Sequence, residues 1–390
     1  MNKIPTKKSG FNPNWQIKTL NEVCNKISAG GDKPDDCTTE KTEENQIPIF
    51  SNGIKNKGLC GYTKTPTITK PALTISARGT IGFACVRYEP FFPIVRLICV
   101  IPNEKLVVLE FLCYALQYII PQGEGTSVPQ LTIPNFKKIE IPIPPLDEQK
   151  RIASALSKID AYLENTIKLI EEKERFKRGI AKKLLTCKEG ENIPEARFKG
   201  FEGEWEIVKL KDMFDNFKEK NNEDKIILAS TIDKGVIPNS LTERKIIRKK
   251  ESLSNYKLVK KGCFVISLMS FQSGFEYSDY EGIISPAYTV LKPKIEMAHY
   301  FYKYYFKSFK FIKDLRPYAE GIRHGKQIKF KACKDILVPY PSIEEQEKIG
   351  GYLSLLDAEI DNLKKQKELI KEMKRGAMQK LLSGEVRLLK

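Results

Sequence analysis

Pro144-Pro145-Leu146-Asp147-Glu148-Gln149 opens a stretch, running to Leu184-Leu185-Thr186, that returns 197 residues later as Pro341-Ser342-Ile343-Glu344-Glu345-Gln346 to Leu381-Leu382-Ser383. Aligned without a gap, 17 of 43 positions are identical, among them Glu148/Glu345, Gln149/Gln346, Ile152/Ile349, Leu156/Leu353, Asp160/Asp357, Arg178/Arg375, Gly179/Gly376 and Leu184-Leu185/Leu381-Leu382. A fainter match precedes each copy, Trp15-Gln-Ile-Lys-Thr-Leu20 against Trp205-Glu-Ile-Val-Lys-Leu210, and these hold the only two tryptophans. A period this long, occurring twice, is the duplication of a whole domain plus helix and not a solenoid of short repeats. The chain is two tandem halves.

Each copy of the repeat predicts a long helix. In the first, apolar residues fall at 152, 156, 159, 163, 167 and 170, then 176, 180 and 184, with no proline inside. The second is cleaner, with Ile349, Leu353, Leu356, Ile360, Leu363, Ile370, Met373, Ala377 and Leu381 close to the 3.5-residue period of a coiled-coil seam. Ser342-Ile-Glu-Glu345 predicts a capping box, in which the Ser oxygen and the Glu carboxylate each accept a backbone N–H that the first turn leaves unpaired. Gly384 stands where a left-handed cap favours a residue without a β-carbon. At about 1.5 Å per residue each helix is a rod of about 60 Å. One apolar stripe per rod asks for burial, most simply against the other copy through Ile152, Leu156, Ile159, Leu163 and Ile170 on one side and Ile349, Leu353, Leu356, Ile360, Leu363 and Ile370 on the other. A globular segment between the copies leaves the direction of pairing open. Antiparallel pairing is favoured here, placing the two halves about a pseudo-twofold axis.

The 390 residues carry 66 Lys+Arg against 49 Asp+Glu, a formal net charge of +17. That points to a polyanionic partner, nucleic acid or an acidic membrane surface, with a lysine-rich proteome as the other reading. No run of about 20 apolar residues suits a membrane span; the best, Pro93-Ile-Val-Arg-Leu-Ile-Cys-Val-Ile101, is short, is broken by Arg96 and reads as a buried strand. Met1 to Ser9 is basic but has no apolar core after it, so no signal peptide is expected and the cytoplasm is the expected compartment. The nine cysteines never form Cys-x-x-Cys and there are two histidines, so no metal site is expected.

The segments before the helices, 11–143 and 200–338, have a different texture. Short runs rich in β-branched and aromatic residues, punctuated by Gly, Pro and Asn, predict strands: Gln46 to Phe50, Ala72 to Ser76, Gly82 to Arg87, Ile226 to Ala229, Gly262 to Ser267 and Tyr288 to Leu291. Leu109 to Ile120 and Ala298 to Ile312 predict one shorter helix in each half. The fold class is therefore α+β, with domains at 11–143 and 188–338, the latter entered through a linker around Lys188 to Pro194, and helical segments at 144–187 and 339–390.

Pro-Ile-Pro-Pro-Leu-Asp-Glu-Gln149 before a long helix, Arg-Phe-Lys-Gly-Phe-Glu-Gly-Glu-Trp205 before the second domain and Leu-Leu-Ser-Gly-Glu-Val-Arg387 resemble the specificity subunit of type I restriction-modification systems over essentially the full chain. The resemblance implies two α/β target recognition domains, each reading one half of a split DNA site. It also implies two long antiparallel coiled-coil helices between them that set the spacing and recruit two methyltransferase subunits, with restriction/translocase subunits joining later. Such a subunit is not itself catalytic: S-adenosylmethionine, ATP and Mg are expected on its partners. The residues agree with that. Asn12-Pro-Asn14 lacks the second proline of an amino-methyltransferase corner, and Gly123-Glu-Gly125 lacks the third glycine of a cofactor turn. Gly321-Ile-Arg-His-Gly-Lys326 is one residue short of a phosphate loop, and Pro34-Asp35-Asp36 is too ordinary an acidic pair to mark a metal nuclease. The reading from another class is a coiled-coil scaffold or adaptor without sequence-specific DNA binding, which salt-sensitive DNA binding separates from the first.

Base edges are read by side chains that make paired hydrogen bonds, chiefly Arg or Lys to guanine and Asn or Gln to adenine, while other cations sit on phosphates. In the first domain the candidates are Asn52, Lys55 and Lys57 in a Gly/Asn-rich loop, Arg78 and Thr80 in the Arg-Gly-Thr-Ile-Gly run that fits the family pattern, and Gln130. In the second they are Arg244, Arg248, Lys249 and Lys250 on phosphates, and Ser270, Gln272, Arg323 and Lys326 near bases. For the run from Arg244 to Lys250 a solvated cationic face is the plainer reading. His299 to Phe306 could stack on bases, but Phe111, Leu112, Tyr114 and Leu116 occupy the matching stretch, so packing is preferred.

Overall fold

The computed structural model describes residues 11–120, 130–242, 253–266, 274–319 and 328–388. Its contacts divide the chain into two units, residues 1–167 with 365–390 and residues 168–364. Two helices, α4 (Leu146–Leu185) and α9 (Ile343–Ser383), each contribute one half to each unit.

In the first unit β1 (Gln16–Thr19) pairs antiparallel with β9 (Glu140–Ile143), Gln16 opposite Ile143, and the chain leaves β9 directly into α4. Between them lies an antiparallel sheet of order β2 (Cys24–Ala29), β8 (Ile98–Pro102), β5 (Ala72–Ile75), β6 (Ala84–Arg87). Its central strands are buried on both faces, and the period of two sorts them. Leu73, Ile75, Ile98 and Val100 join one core with α2 (Leu109–Ile119), the start of α4 and the end of α9. Ala72 and Cys99 join another with Phe50, Phe91 and Leu97, under the small sheet of β4 (Leu59–Thr63), β3 (Ile47–Phe50) and β7 (Phe92–Pro93). The stretch Pro93 to Ile101 is thus not one buried strand. Val95 and Arg96 both have left-handed backbone, at φ 54 and 57°, and turn the chain between β7 and β8.

The second unit repeats this plan with other residues. β10 (Glu206–Lys209) pairs with β19 (Leu337–Tyr340) and delivers the chain to α9. The sheet of β11 (Phe214–Phe217), β18 (Thr289–Pro293), β15 (Phe264–Ile266) and β16 (Phe275–Tyr277) has the same order as its counterpart. Phe264, Ile266, Phe275 and Leu291 face the helices, while Val265 and Val290 face Leu228, Val236 and Ile284 on the other side. The helix expected from Ala298 to Ile312 is broken into α6 (His299–Tyr305) and α7 (Phe309–Leu315), because the Ser308 hydroxyl accepts the Phe311 N–H and starts a new helix. Phe301, Tyr302, Tyr305 and Phe306 are core, with Phe306 and Phe311 ring centroids 4.7 Å apart, so base stacking by these rings is excluded.

Within each unit the long helices run antiparallel. Asp160 meets Lys374 in the first, at 2.6 Å. In the second, Lys173 meets Glu359, Lys177 meets Asp357, and Glu174 meets Lys364. The residues expected at the seam are all buried or half-buried, and in each unit the two helices share one core, Ile152 and Leu156 with Leu381 and Leu382, and Ile349, Leu353 and Leu356 with Leu184 and Leu185. Ile152 and Leu156, like Ile349, Leu353 and Leu356, lie in the domain cores, where a domain covers that end of its helix. Ile170, Ile360 and Ile370 are buried outside those cores, and Ile159, Leu163 and Leu363 are half-buried. Ile167, Phe176 and Met373, which continue the apolar period, are 36, 52 and 50% exposed. Gly384 has the left-handed φ of 73° its cap position called for.

Candidate nucleic-acid interface

The identical residues of the repeat build a joint between each domain and its helices. Gln149, fully buried, accepts the N–H of Val108, which caps α2, and donates to the Leu106 and Pro144 carbonyls. Gln346 does the same with the Ala298 N–H, which caps α6, and the Pro341 carbonyl. A side-chain amide both donates and accepts in one plane, which suits a helix start facing a strand exit.

The adjoining carboxylates are held by arginine. Glu345 takes Arg197 at 2.8 and 2.7 Å and the Trp205 indole N–H at 2.9 Å. The capping box expected here forms only its Ser342 half, at 3.3 Å. A bidentate, charge-assisted pair outbids a single backbone N–H for the carboxylate. Glu148 takes Arg387 at 2.5 and 2.7 Å, and that guanidinium lies 5.6 Å from the Trp15 ring. The hydrogen bonds to Glu148 hold the Arg387 guanidinium above its ordinary value.

A third repeated group reaches from the domain helix to both rods. The Tyr114 hydroxyl donates to Asp160 at 2.8 Å, and Asp160 also binds Lys374. In the second unit Tyr304 donates to Asp357 at 2.7 Å, and Asp357 binds Lys177. Burial first, then the neighbouring aspartate, pushes the Tyr114 phenol well above its usual range. Each tyrosine therefore stays a donor to its carboxylate.

The loops at the edge of the first domain are gathered by Asn52. Its amide donates to the Val95 carbonyl and accepts the Ala77 N–H, both at 2.7 Å, while the Gly53 N–H reaches the Ser76 hydroxyl at 3.2 Å. Asn52 is thus a clasp between three loops, and these bonds use one of its two N–H donors and one of its two carbonyl lone pairs. Lys57 and its neighbour Asn56 have left-handed backbone, held where the half-buried Arg87 donates to the Lys57 carbonyl; the Arg87 guanidinium sits 3.6 Å over the Phe50 ring. Lys57 extends to Glu164 at 3.2 Å, with both side chains more than half exposed. Lys55 is exposed. Arg78 and Gln130 are brought together, Nη2 to Oε1 at 2.8 Å. The Thr80 hydroxyl oxygen is buried.

Sequence reasoning passed over Arg96. Left-handed backbone costs roughly 1–2 kcal/mol per non-glycine residue, and a β-branched residue such as Val95 bears it worst. The turn is nevertheless secured on every side, by Val95 N–H to the Gly31 carbonyl, Arg96 N–H to the Gly30 carbonyl, and Asn52 on the Val95 carbonyl. An arginine interrupting an apolar run was the one available signal. The second-domain candidates Arg244, Arg248, Lys249, Lys250, Ser270, Gln272, Arg323 and Lys326 all lie outside the described residues. Among the described residues no cluster of His, Cys, Asp and Glu suits a metal ion, and no helix is long and apolar enough to cross a membrane.

A duplicated α+β domain, each copy seated by the same joint on an antiparallel pair of long helices, defines the architecture. The chain belongs to the family of type I restriction modification DNA specificity domains, whose profile matches residues 12–172 and 202–372. It is 37% identical over 153 residues to a type I specificity subunit of Mycoplasma pneumoniae, covering 38% of this chain and 45% of that one. It is 28% identical over 309 residues to the MjaVIII specificity subunit of Methanocaldococcus jannaschii, covering 73% and 72%. The match to the M. pneumoniae protein thus spans less than half of that relative's length. The crystal structure of a type I restriction-modification S subunit from M. genitalium has the same fold, with TM-score 0.60 and 19% identity over 98% of this chain and 99% of that one.

Proposed function

We propose that this chain is the DNA sequence-specificity subunit of a type I restriction-modification complex. Each recognition domain reads one half of a bipartite site on double-stranded DNA, and the long helices set the interval between the halves and recruit two methyltransferase subunits. The observation that carries this reading is the duplication of a whole domain on one joint while the loop sequences diverge: two readers of different half-sites on a common mount. Lysines and arginines supply sequence-independent affinity through phosphates, and discrimination comes from base contacts that only the correct halves satisfy at the set spacing. Methyl transfer and DNA translocation belong to the partner chains, which carry S-adenosylmethionine, ATP and Mg, and the complex works in the cytoplasm.

The test is co-expression with the neighbouring methyltransferase gene, followed by single-molecule sequencing of the DNA for modified bases. A split motif with methylated adenines in both halves is the expected result. A stable complex with neither modification nor salt-sensitive DNA binding would favour the scaffold. Insertion of one helical turn into both rods should lengthen the gap in the motif, and an unaltered gap would end the ruler idea.

A further inference from the structure

We propose that Arg96 reads a guanine in the half-site recognised by the first domain, an inference that rests on the function proposed above. Arg96 is exposed, and among the described residues no hydrogen bond or ion pair engages its guanidinium. Its backbone is the opposite of free. Val95 and Arg96 hold consecutive left-handed conformations, clamped by Gly30, Gly31 and Asn52. Gly30 is required for the clamp, since a β-carbon there would stand 2.6 Å from the Pro93 carbonyl carbon. Backbone strain held by its surroundings is characteristic of sites that fix a ligand's geometry.

Asn52 supplies the second argument, because the same amide that holds Val95 also holds Ala77. The two arginines next to those residues, Arg96 and Arg78, are therefore offered from loops tied to one clasp. They differ in occupation: Arg78 is engaged by Gln130, and Arg96 is not. A phosphate contact needs only a mobile cation, which Lys55 can provide. A fixed base for a planar fork of donors matches the paired acceptors O6 and N7 of guanine in the major groove.

The experiment uses the full chain co-expressed with its methyltransferase on a library of randomised half-sites, comparing wild type with Arg96→Ala and Arg96→Lys. Trp15 fluorescence in a Trp205→Phe background checks that the first unit stays folded. A base reader predicts that both variants lose about tenfold or more in preference for guanine at one position of one half-site, with the other half-site unchanged. Three results would overturn the assignment: an unchanged motif, a loss of affinity spread evenly over all sequences, which would mark a phosphate contact, or full rescue by lysine, which would show that a point charge suffices and the planar fork is not used. If the wild-type complex reads no bipartite motif, the functional proposal fails before this one is reached.

Discussion

Gln149→Leu puts an apolar side chain of similar volume in place of one that is 0% exposed and removes three hydrogen bonds, from the Val108 N–H at 2.8 Å and to the Leu106 and Pro144 carbonyls at 3.0 and 2.8 Å. A buried backbone group left unpaired costs about 1–3 kcal/mol. With about 2 kcal/mol for the N–H and about 1 for each carbonyl, and about 1 returned by burying leucine, the first unit should lose about 3 kcal/mol. Gln346 makes two such bonds, to Ala298 and Pro341, so Gln346→Leu should cost the second unit about 2 kcal/mol. The two tryptophans make the assay unit-specific, since Trp15 lies in the first core and Trp205 in the second. Urea unfolding followed by fluorescence, in a Trp205→Phe background for Gln149→Leu and a Trp15→Phe background for Gln346→Leu, should show midpoints lowered by about 1.5 and about 1 M at a slope of about 2 kcal/mol/M. A Gln149→Leu midpoint within about 0.3 M of its parent would refute the argument that this amide is the domain's structural anchor.

Three further outcomes follow from the same geometry. Asp160→Lys should destabilise the first unit, and adding Lys374→Asp should restore much of the loss whereas Lys177→Asp should not, because Asp160 meets Lys374 across the antiparallel pair; the Trp15 midpoint reads both. Gly384→Ala and Gly376→Ala should have opposite signs in the same assay. The first puts a β-carbon 2.5 Å from Asn12 Cβ at a left-handed φ and should cost about 2 kcal/mol, whereas the second meets nothing and should stabilise the helix by about 0.5–1 kcal/mol. Burial lowers the pKa of His299, opposed by the Asp279 carboxylate. Below its unfolded value the unfolded chain binds more protons than the folded one, so this contribution to the second unit is complete above about pH 6.5 and declines as pH falls through that value. His299→Gln should flatten the Trp205-reported midpoint between about pH 7.5 and 5.5, and an unchanged slope would remove His299 as its source.

The duplication, the two long helices and the glycine cap were legible because they are periodic or local. The periodic positions of the rods were legible, but not that each domain core reaches onto them. Ile152 and Leu156 answer to the domain core, while Ile170 and Ile360 answer to burial beyond it. Glu345 was read as a cap because Ser342 stands three residues before it. Only the fold shows that Arg197 and Trp205, far off in sequence, claim the carboxylate. The loop cluster was least legible. Asn52 has the composition of a base reader and the geometry of a clasp, and Arg96 has the opposite history, hidden in an apolar run until two left-handed residues lift it out.

The pattern of identity in the repeat has a physical cause in the antiparallel helices. When two copies of one sequence pair head to tail, the aspartate of each copy meets the lysine of the other, so one ancestral Asp–Lys choice produces both Asp160–Lys374 and Lys177–Asp357. A change at either position in one copy leaves a charge without its partner in one unit and leaves the other unit whole. Each such position is therefore held independently in both copies. The same holds for Gln149 and Gln346, whose backbone partners belong to their own domain. The domain loops have no such reciprocity. Asn52, Arg78 and Arg96 are tied only within the first domain, so the second can present other side chains at its loops without disturbing the joint. A molecule built this way can change what either half recognises while keeping the mount on which both are carried.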